Sequence, residues 1–264
     1  MSKIGIRLCS LFLFVFLFNS ISLFSQEFKF DHITTANGLS QGTVNCIYQD
    51  KKGFIWIGTF DGLNRYDAYN FKVFKNNPND TLSIGGNNIV SIAEDSLSNL
   101  WIATRNNGLN YYNRERDIFT RYKLSPKVGK GYANDLKRVF VDSKGNVLIG
   151  TLGGGLFVLK IGTSAPVNYM HIDGDNSSLG NDFVFSILEE GNGKYWIGSE
   201  CGCLALFDLE KGTFKNYAFK EDFKRSGWDV GVSLVMDNLG NIWIGTNGNG
   251  LFRFTIATSE VTEF

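Results

Sequence analysis

Proline is nearly absent from this 264-residue chain, at three residues, and histidine is limited to His32 and His171. After residue 27 no stretch carries sustained helical periodicity. Cysteine is sparse too: Cys9, Cys46, Cys201 and Cys203 are the full set. Cys9 falls in an apolar leader without the small residues that a lipid-attachment site needs before it, which leaves an odd three and no complete disulfide framework. Cys201-Gly202-Cys203 lacks the C-x-x-C spacing and no second pair follows, so metal or redox chemistry is disfavoured against plain thiols. Net charge is also missing, with 26 basic against 26 acidic side chains. No global field concentrates nucleic acid or an anionic membrane surface. Catalytic signatures are absent as well: there is no G-x-S-x-G elbow, zinc-helix motif, phosphate loop or nucleotide fingerprint. Gly153-Gly154-Gly155 precedes no helix and reads as a turn.

What the chain does have is 30 glycines and a 14% aromatic content within a 43% hydrophobic composition. That is the material of many short strands joined by tight turns. The N-terminus differs. Lys3 and Arg7 precede the apolar run Leu8–Phe18 and then the polar, small-residue stretch Asn19 to Ser25, the three regions of a secretory signal. We expect a signal peptide over 1–25, with an uncleaved anchor recruiting Ile21 to Phe24 as the alternative, and a periplasmic destination.

A repeat governs the remainder. Trp56-Ile57-Gly58-Thr59, Trp101-Ile102-Ala103-Thr104, Leu148-Ile149-Gly150-Thr151, Trp196-Ile197-Gly198-Ser199 and Trp243-Ile244-Gly245-Thr246 recur every 45–48 residues. Six residues before each stands an acid, Asp50, Asp95, Asp142, Glu190 or Asp237. Three residues before each stands Gly53, Gly145, Gly193 or Gly240, with Ser98 as the exception. An Asp that accepts from amides two residues on, followed by a positive-φ glycine, reverses the chain into the Trp strand, which gives each acid a structural role. Gly-Leu then follows at Gly62, Gly108, Gly155 and Gly250, with Cys203-Leu204 departing, and a short aromatic fourth strand closes each unit.

The expected fold is all-β: a β-propeller of four-stranded antiparallel blades, with blades over 42–75, 87–123, 134–171, 182–219 and 229–264 and a leading outer strand over 28–33. A blade cannot bury both faces alone, so the Trp-Ile and Leu-aromatic positions should interlock between neighbours. Five repeats supply twenty strands and the leader a twenty-first, one more than a closed five-blade ring holds. We expect an incomplete seven-blade ring from a fragment or truncated product, its open ends exposing apolar faces.

The residues Phe30-Asp31-His32-Ile33, Asn37-Gly38-Leu39-Ser40-Gln41, Gly53-Phe54-Ile55-Trp56-Ile57-Gly58-Thr59 and Gly62-Leu63-Asn64-Arg65-Tyr66-Asp67 resemble the two-component regulator propeller repeat. That repeat is found in sensory ectodomains of hybrid histidine kinases of Bacteroidetes, and the resemblance covers 28–264. It implies two propellers, an Ig-like domain, a membrane helix and a kinase core in the complete protein, with an ectodomain that senses polysaccharide breakdown products.

Strand alternation places the loops between second and third strands on the same face as the segments leading into each first strand. That face carries Asn87, Asn134, Asp182 and Asp229, then Asp61, Arg105, Asn106, Glu200 and Asn247, with Tyr132 and Trp228 nearby. Arg105, Asn106, Asn134, Asp182, Glu200, Trp228, Asp229 and Asn247 are the candidate ligand contacts, since amides, carboxylates, guanidinium and aromatics are what a sugar requires. Turn preference alone also accounts for the Asn/Asp ring. Trp228 interrupts the repeat, which leaves a ligand contact or packing against a neighbour open.

No catalytic residue, metal or cofactor is expected. The expected partners are an oligosaccharide and the remainder of the sensor or a homodimer partner, with no nucleic acid, and membrane association only through C-terminal regions not in this chain. A protein-interaction propeller without a ligand is the competing reading, and a propeller enzyme the least favoured.

Overall fold

The structure, a computed structural model, describes residues 30–126, 132–200, 203–218 and 231–264. The expected signal peptide lies outside them. From Thr34 on, the chain is one compact unit of five antiparallel sheets. The first holds β1 (Val44–Gln49), β2 (Ile55–Thr59), β3 (Gly62–Tyr66) and β4 (Phe71–Phe74). The second holds β5 (Ile89–Glu94), β6 (Leu100–Thr104), β7 (Gly108–Asn113) and β8 (Ile118–Tyr122). The third holds β9 (Leu136–Val141), β10 (Val147–Thr151), β11 (Leu156–Leu159) and β12 (Val167–Tyr169). The fourth holds β13 (Val184–Gly191), β14 (Lys194–Ser199), β15 (Cys203–Asp208) and β16 (Thr213–Ala218). The fifth holds β17 (Gly231–Met236), β18 (Asn241–Thr246), β19 (Leu251–Thr255) and β20 (Glu260–Glu263). Each sheet is a four-strand meander in sequence order. Of the expected leading strand, residues 28 and 29 lie outside the described residues, and 30–33 carry no strand, since a strand needs a ladder partner.

The Trp-Ile alternation sets the packing between blades. Trp56 joins a core with Ile89, Ile102 and Tyr112 of the second sheet. Trp101 packs with Ile149 and Phe157 of the third sheet, Leu148 with Ile197 and Phe207 of the fourth, and Trp196 with Ile244 and Phe254 of the fifth. Successive side chains of a strand point to opposite faces. The leading Trp or Leu therefore faces the following sheet and the next Ile the preceding one. Trp56 is fully buried, and truncating such a side chain costs ~3–5 kcal/mol. The inner strands β1, β5, β9, β13 and β17 pack in succession. The two end faces stay open: Ile47 is 66% and Val235 58% exposed.

Thr35–Asn37 forms a short 3-10 turn capped by Thr34 and ended by Gly38, left-handed at φ 105°. It delivers Ser40 to Thr59, Oγ to Oγ1 at 2.9 Å, and the Ser40 amide to Asn64 Oδ1 at 2.9 Å. Leu39 is buried beneath it.

Four of the five repeat acids form the turn expected of them. Asp50 Oδ1 accepts the amides of Lys52 and Phe54, each at 2.9 Å. Asp95, Asp142 and Asp237 do the same with amides two and four residues on. Glu190 does not. β13 runs through it to Gly191, and Asn192 and Gly193, at φ 53° and 76°, close a two-residue hairpin instead. An Asn-Gly pair supplies both left-handed positions that a tight hairpin demands, so no carboxylate clamp is needed and Glu190 is exposed.

Candidate functional site

The expected face is assembled by a set of staples repeated from blade to blade. At the approach to the second, third and fourth sheets, a side-chain oxygen accepts the amide of the residue leaving the previous outer strand. The pairs are Asn87 Oδ1 with Asn76 N (2.7 Å), Asn134 Oδ1 with Leu124 N (2.8 Å) and Asp182 Oδ1 with His171 N (2.7 Å). The carbonyls of these three residues accept the turn amides of Gly62, Gly108 and Gly155 at 2.8, 3.1 and 2.9 Å. Buried backbone groups must be satisfied. Asn134 thus spends its amide oxygen, and its nitrogen too, which donates to Leu124 O at 2.9 Å.

The other candidate residues have different surroundings. Arg105 donates to Asp135 at 3.0 Å in a half-exposed ion pair, tying the second sheet's turn to the third sheet. Such a pair contributes about 1 kcal/mol or less. Asn106 is an exposed turn residue in the left-handed region at φ 61°. Glu200 is half-buried and its amide donates to Phe183 O at 3.0 Å, while Asn247 is exposed in the fifth sheet's turn. Trp228 and Asp229 lie outside the described residues, as do Cys201 and Gly202. Among the described residues no group of three or more His, Cys, Asp or Glu could hold a metal ion.

Sequence reading missed the straps that precede the staples. Residues 77–86 and 172–181 run across the outer strand of the next sheet and hydrogen-bond to it. Phe119 N donates to Leu82 O and Phe214 N to Ser177 O, each at 2.8 Å. Arg121 Nε reaches Ser83 O and Asn216 Nδ2 reaches Ser178 O, each at 2.9 Å. Each strap covers an edge that would otherwise present unpaired backbone groups. The visible signal was Asp-x-x-Ser at Asp80–Ser83 and Asp175–Ser178. Asn76 and His171 anchor equivalent points, donating to Ile84 O at 2.7 Å and Leu179 O at 2.9 Å. A backbone carbonyl only accepts, so Nδ1 of His171 carries the proton.

The two strapped junctions differ in their filling. Between the first and second sheets, Asp117 takes Lys72 Nζ at 2.5 Å and Tyr112 Oη at 2.6 Å. Between the third and fourth, the corresponding positions are Val167, Gly212 and Phe207, which carry no polar side chain. There the structure has a cleft of about 660 Å³ whose lining includes Tyr169, Met170, His171, Asp175, Asp182 and Phe214.

The electrostatics of this cleft follow from its partners. Burial pushes the Asp182 carboxyl up, against the opposing hydrogen bond from the His171 amide and the nearby imidazole. The bond to Leu179 O raises His171, burial acts against it, and Asp173 and Asp182 raise it further. Bonds from Ser177 hold Asp175 below the usual carboxylate range, and burial raises Tyr169, keeping it a neutral phenol. Asp182 is the one predicted contact that lines the cleft.

The family model described as "Two component regulator propeller" matches residues 38–61 and 83–106. Each window ends at the turn after a Trp-Ile strand. The chain carries two-component regulator propeller repeats. Over 264 residues, 99% of this chain, it is 34% identical to histidine kinase P4 of Formosa agariphila, of which it spans 19%. The extracellular domain of a putative hybrid two component system from B. thetaiotaomicron superposes with a TM-score of 0.73 at 28% identity, over 88% of this chain and 31% of that one. PorZ, a surface component of the type-IX secretion system of Porphyromonas gingivalis, has the same fold at a TM-score of 0.61 and 15% identity, over 84% of this chain and 33% of its own. The chain thus spans about a fifth of the kinase and a third of each of these two solved neighbours.

Proposed function

We propose that this chain is the ligand-sensing propeller part of an extracytoplasmic sensor in a two-component signalling system, and that it recognises oligosaccharides without turning them over. The observation that supports the reading best is the 34% identity to a histidine kinase across 99% of the chain. The likeness to the extracellular domain of a putative hybrid two component system supports it further. Export follows from the basic, apolar and small-residue succession over 1–25. In this reading the ligand is held on the face formed by the second-to-third-strand turns and the strapped segments, and signal output passes to the rest of the sensor or to a second copy.

The test combines fractionation with binding. The chain, expressed in a Gram-negative host, should appear in the periplasmic fraction shortened by its leader, and should bind oligosaccharides that are recovered uncleaved. Retention in the cytoplasm, or hydrolysis of the bound sugar, overturns the reading.

A further inference from the structure

We infer that the cleft between the third and fourth sheets is a saccharide subsite, and that it takes the neutral end of a glycan, one or two rings long, in preference to a uronate or sulfated sugar. The inference rests on the oligosaccharide-sensing reading and assigns it a place and a charge preference.

The repeat loses its symmetry at this junction. At the junction of the first and second sheets, the Lys72–Asp117–Tyr112 network occupies the equivalent location with its own hydrogen bonds. Where the third and fourth sheets meet, the strap, the staple and the outer-strand ladder are all kept, yet Gly212 stands in place of Asp117 and Val167 in place of Lys72. Gly212 itself lines the opening, which is therefore a local departure within a retained scaffold. Its size, about 660 Å³, lies within the range of small-molecule pockets.

The cleft also holds polar groups with hydrogen-bonding capacity to spare. Asp182 gives Oδ1 to the His171 amide and Asp175 gives Oδ1 to both the amide and hydroxyl of Ser177. The second oxygen of each has no hydrogen-bond partner among the described residues, and neither does the Tyr169 hydroxyl. Carboxylate oxygens only accept, so the ligand that suits them carries donors, as sugar hydroxyls do. Tyr169 and Phe214, with ring centroids 6.1 Å apart, and Met170 supply the apolar surface on which the C–H face of a sugar ring rests.

Charge decides the class of sugar. Among the described residues that line the cleft, Asp175 and Asp182, with Asp173 beside them, stand against one group that can carry a positive charge, His171. A carboxylated or sulfated ligand meets like charge at close range, and a neutral ring does not.

Titration calorimetry on the full chain provides the test, with maltotriose, cellobiose and chitobiose as neutral probes and digalacturonate and a sulfated galactose disaccharide as acidic ones. Two variants are safe for the fold because the repeat already uses them. Asp182→Asn installs the residue type of Asn87 and Asn134, keeping the staple acceptor. Gly212→Asp installs the residue of Asp117, whose φ of 58° is close to the 69° of Gly212. It places Cβ 3.4 Å from Tyr169 Cε1 and a carboxylate inside the cleft. A neutral probe should bind, Asp182→Asn should weaken it about tenfold, as loss of a hydrogen bond to a charged group does, and Gly212→Asp should abolish it. The acidic probes should bind at least about tenfold more weakly. Melting curves of both variants should match the parent; if either does not, Val167→Lys replaces it as the blocking substitution. Neutral-sugar binding untouched by either variant overturns the cleft assignment and leaves the sensing reading standing. Preference for the acidic probes overturns the charge argument. Silence from every sugar overturns both readings together.

Discussion

Trp56 donates its indole N–H to Asp50 Oδ2 at 2.7 Å, while Trp196, six residues after Glu190, buries its indole nitrogen with no acceptor among the described residues. The same sequence interval yields a buried clamp in one blade and an exposed acid in another, because the Asn192-Gly193 hairpin closes the fourth sheet unaided.

Asp50 also accepts Arg114 Nη2 at 2.8 Å and two amides. Burial pushes its carboxyl up, but these bonds more than offset that and hold it below the usual range. Asp50→Ala leaves the Trp56 indole N–H unpaired and takes the nearest carboxylate from buried Arg114, which keeps Ser98 O at 2.7 Å and Glu94 at 3.8 Å; it should cost about 3 kcal/mol in urea denaturation. Glu190→Ala should fall within ~0.5 kcal/mol of the parent. Equal costs for the two would mean that the clamp has no special role.

The glycine of the Trp-Ile-Gly-Thr segment is set by the approach of the next sheet. A Cβ on Gly58 would stand 2.6 Å from Cys46 Sγ and 2.7 Å from Ile89 Cγ2, and one on Gly150 2.8 Å from Val184. On Gly245 the nearest atom would be Ser233 Cβ at 3.9 Å. Gly58→Ala and Gly150→Ala should each cost ~1–3 kcal/mol through overpacking. Gly245→Ala should be neutral or slightly stabilising in this chain, since alanine loses less entropy in a strand. Thermal melting of the three variants distinguishes the two environments.

Ser98 occupies the turn position that is glycine in the other four blades, at φ 64°. The left-handed region costs an L-residue about 1–2 kcal/mol, and part of that gain is returned through the freer unfolded chain of glycine. Ser98→Gly should stabilise by about 0.5–1 kcal/mol, seen as a melting temperature a few degrees higher. A lower melting temperature would show that the serine side chain contributes more than the strain removes.

Period and turn chemistry made the blades legible, because Trp56 and Ile102 meet a packing requirement that recurs from sheet to sheet, and Asp142 a turn requirement that recurs in four of the five. The straps were not legible. Their hydrogen bonds run from one blade's connection to the next blade's outer strand, as from Phe119 to Leu82, and no spacing within a single repeat displays them. The cleft was hidden for a related reason: it lies where Tyr169 of the third sheet comes together with Gly212 and Phe214 at the fourth, each unremarkable alone. Asp182 was expected for its residue type and its face, and half of its carboxylate is the staple that its counterparts Asn87 and Asn134 also provide.

His171 is the titrating member of that staple set. Its pKa is raised first by the bond to Leu179 O, against an opposing effect of burial, and then by Asp173 and Asp182, the acids that face it. The group's folded value thus exceeds the ordinary value of about 6.5. The protonated imidazole therefore adds stability that is fully present below about pH 6.5 and is lost as pH rises through the folded value. With its side chain 43% exposed, the contribution is screened to less than about 1 kcal/mol. The ring protons should titrate with a midpoint above the ordinary one in an NMR pH series. His171→Asn provides the control, because Asn76 already makes the equivalent bond to Ile84 O at 2.7 Å. That variant should keep the strap while removing the stability change near neutral pH. A midpoint at or below the ordinary value would show that the two acids do not act on the ring, and an unchanged pH profile in the variant would place the titrating group elsewhere.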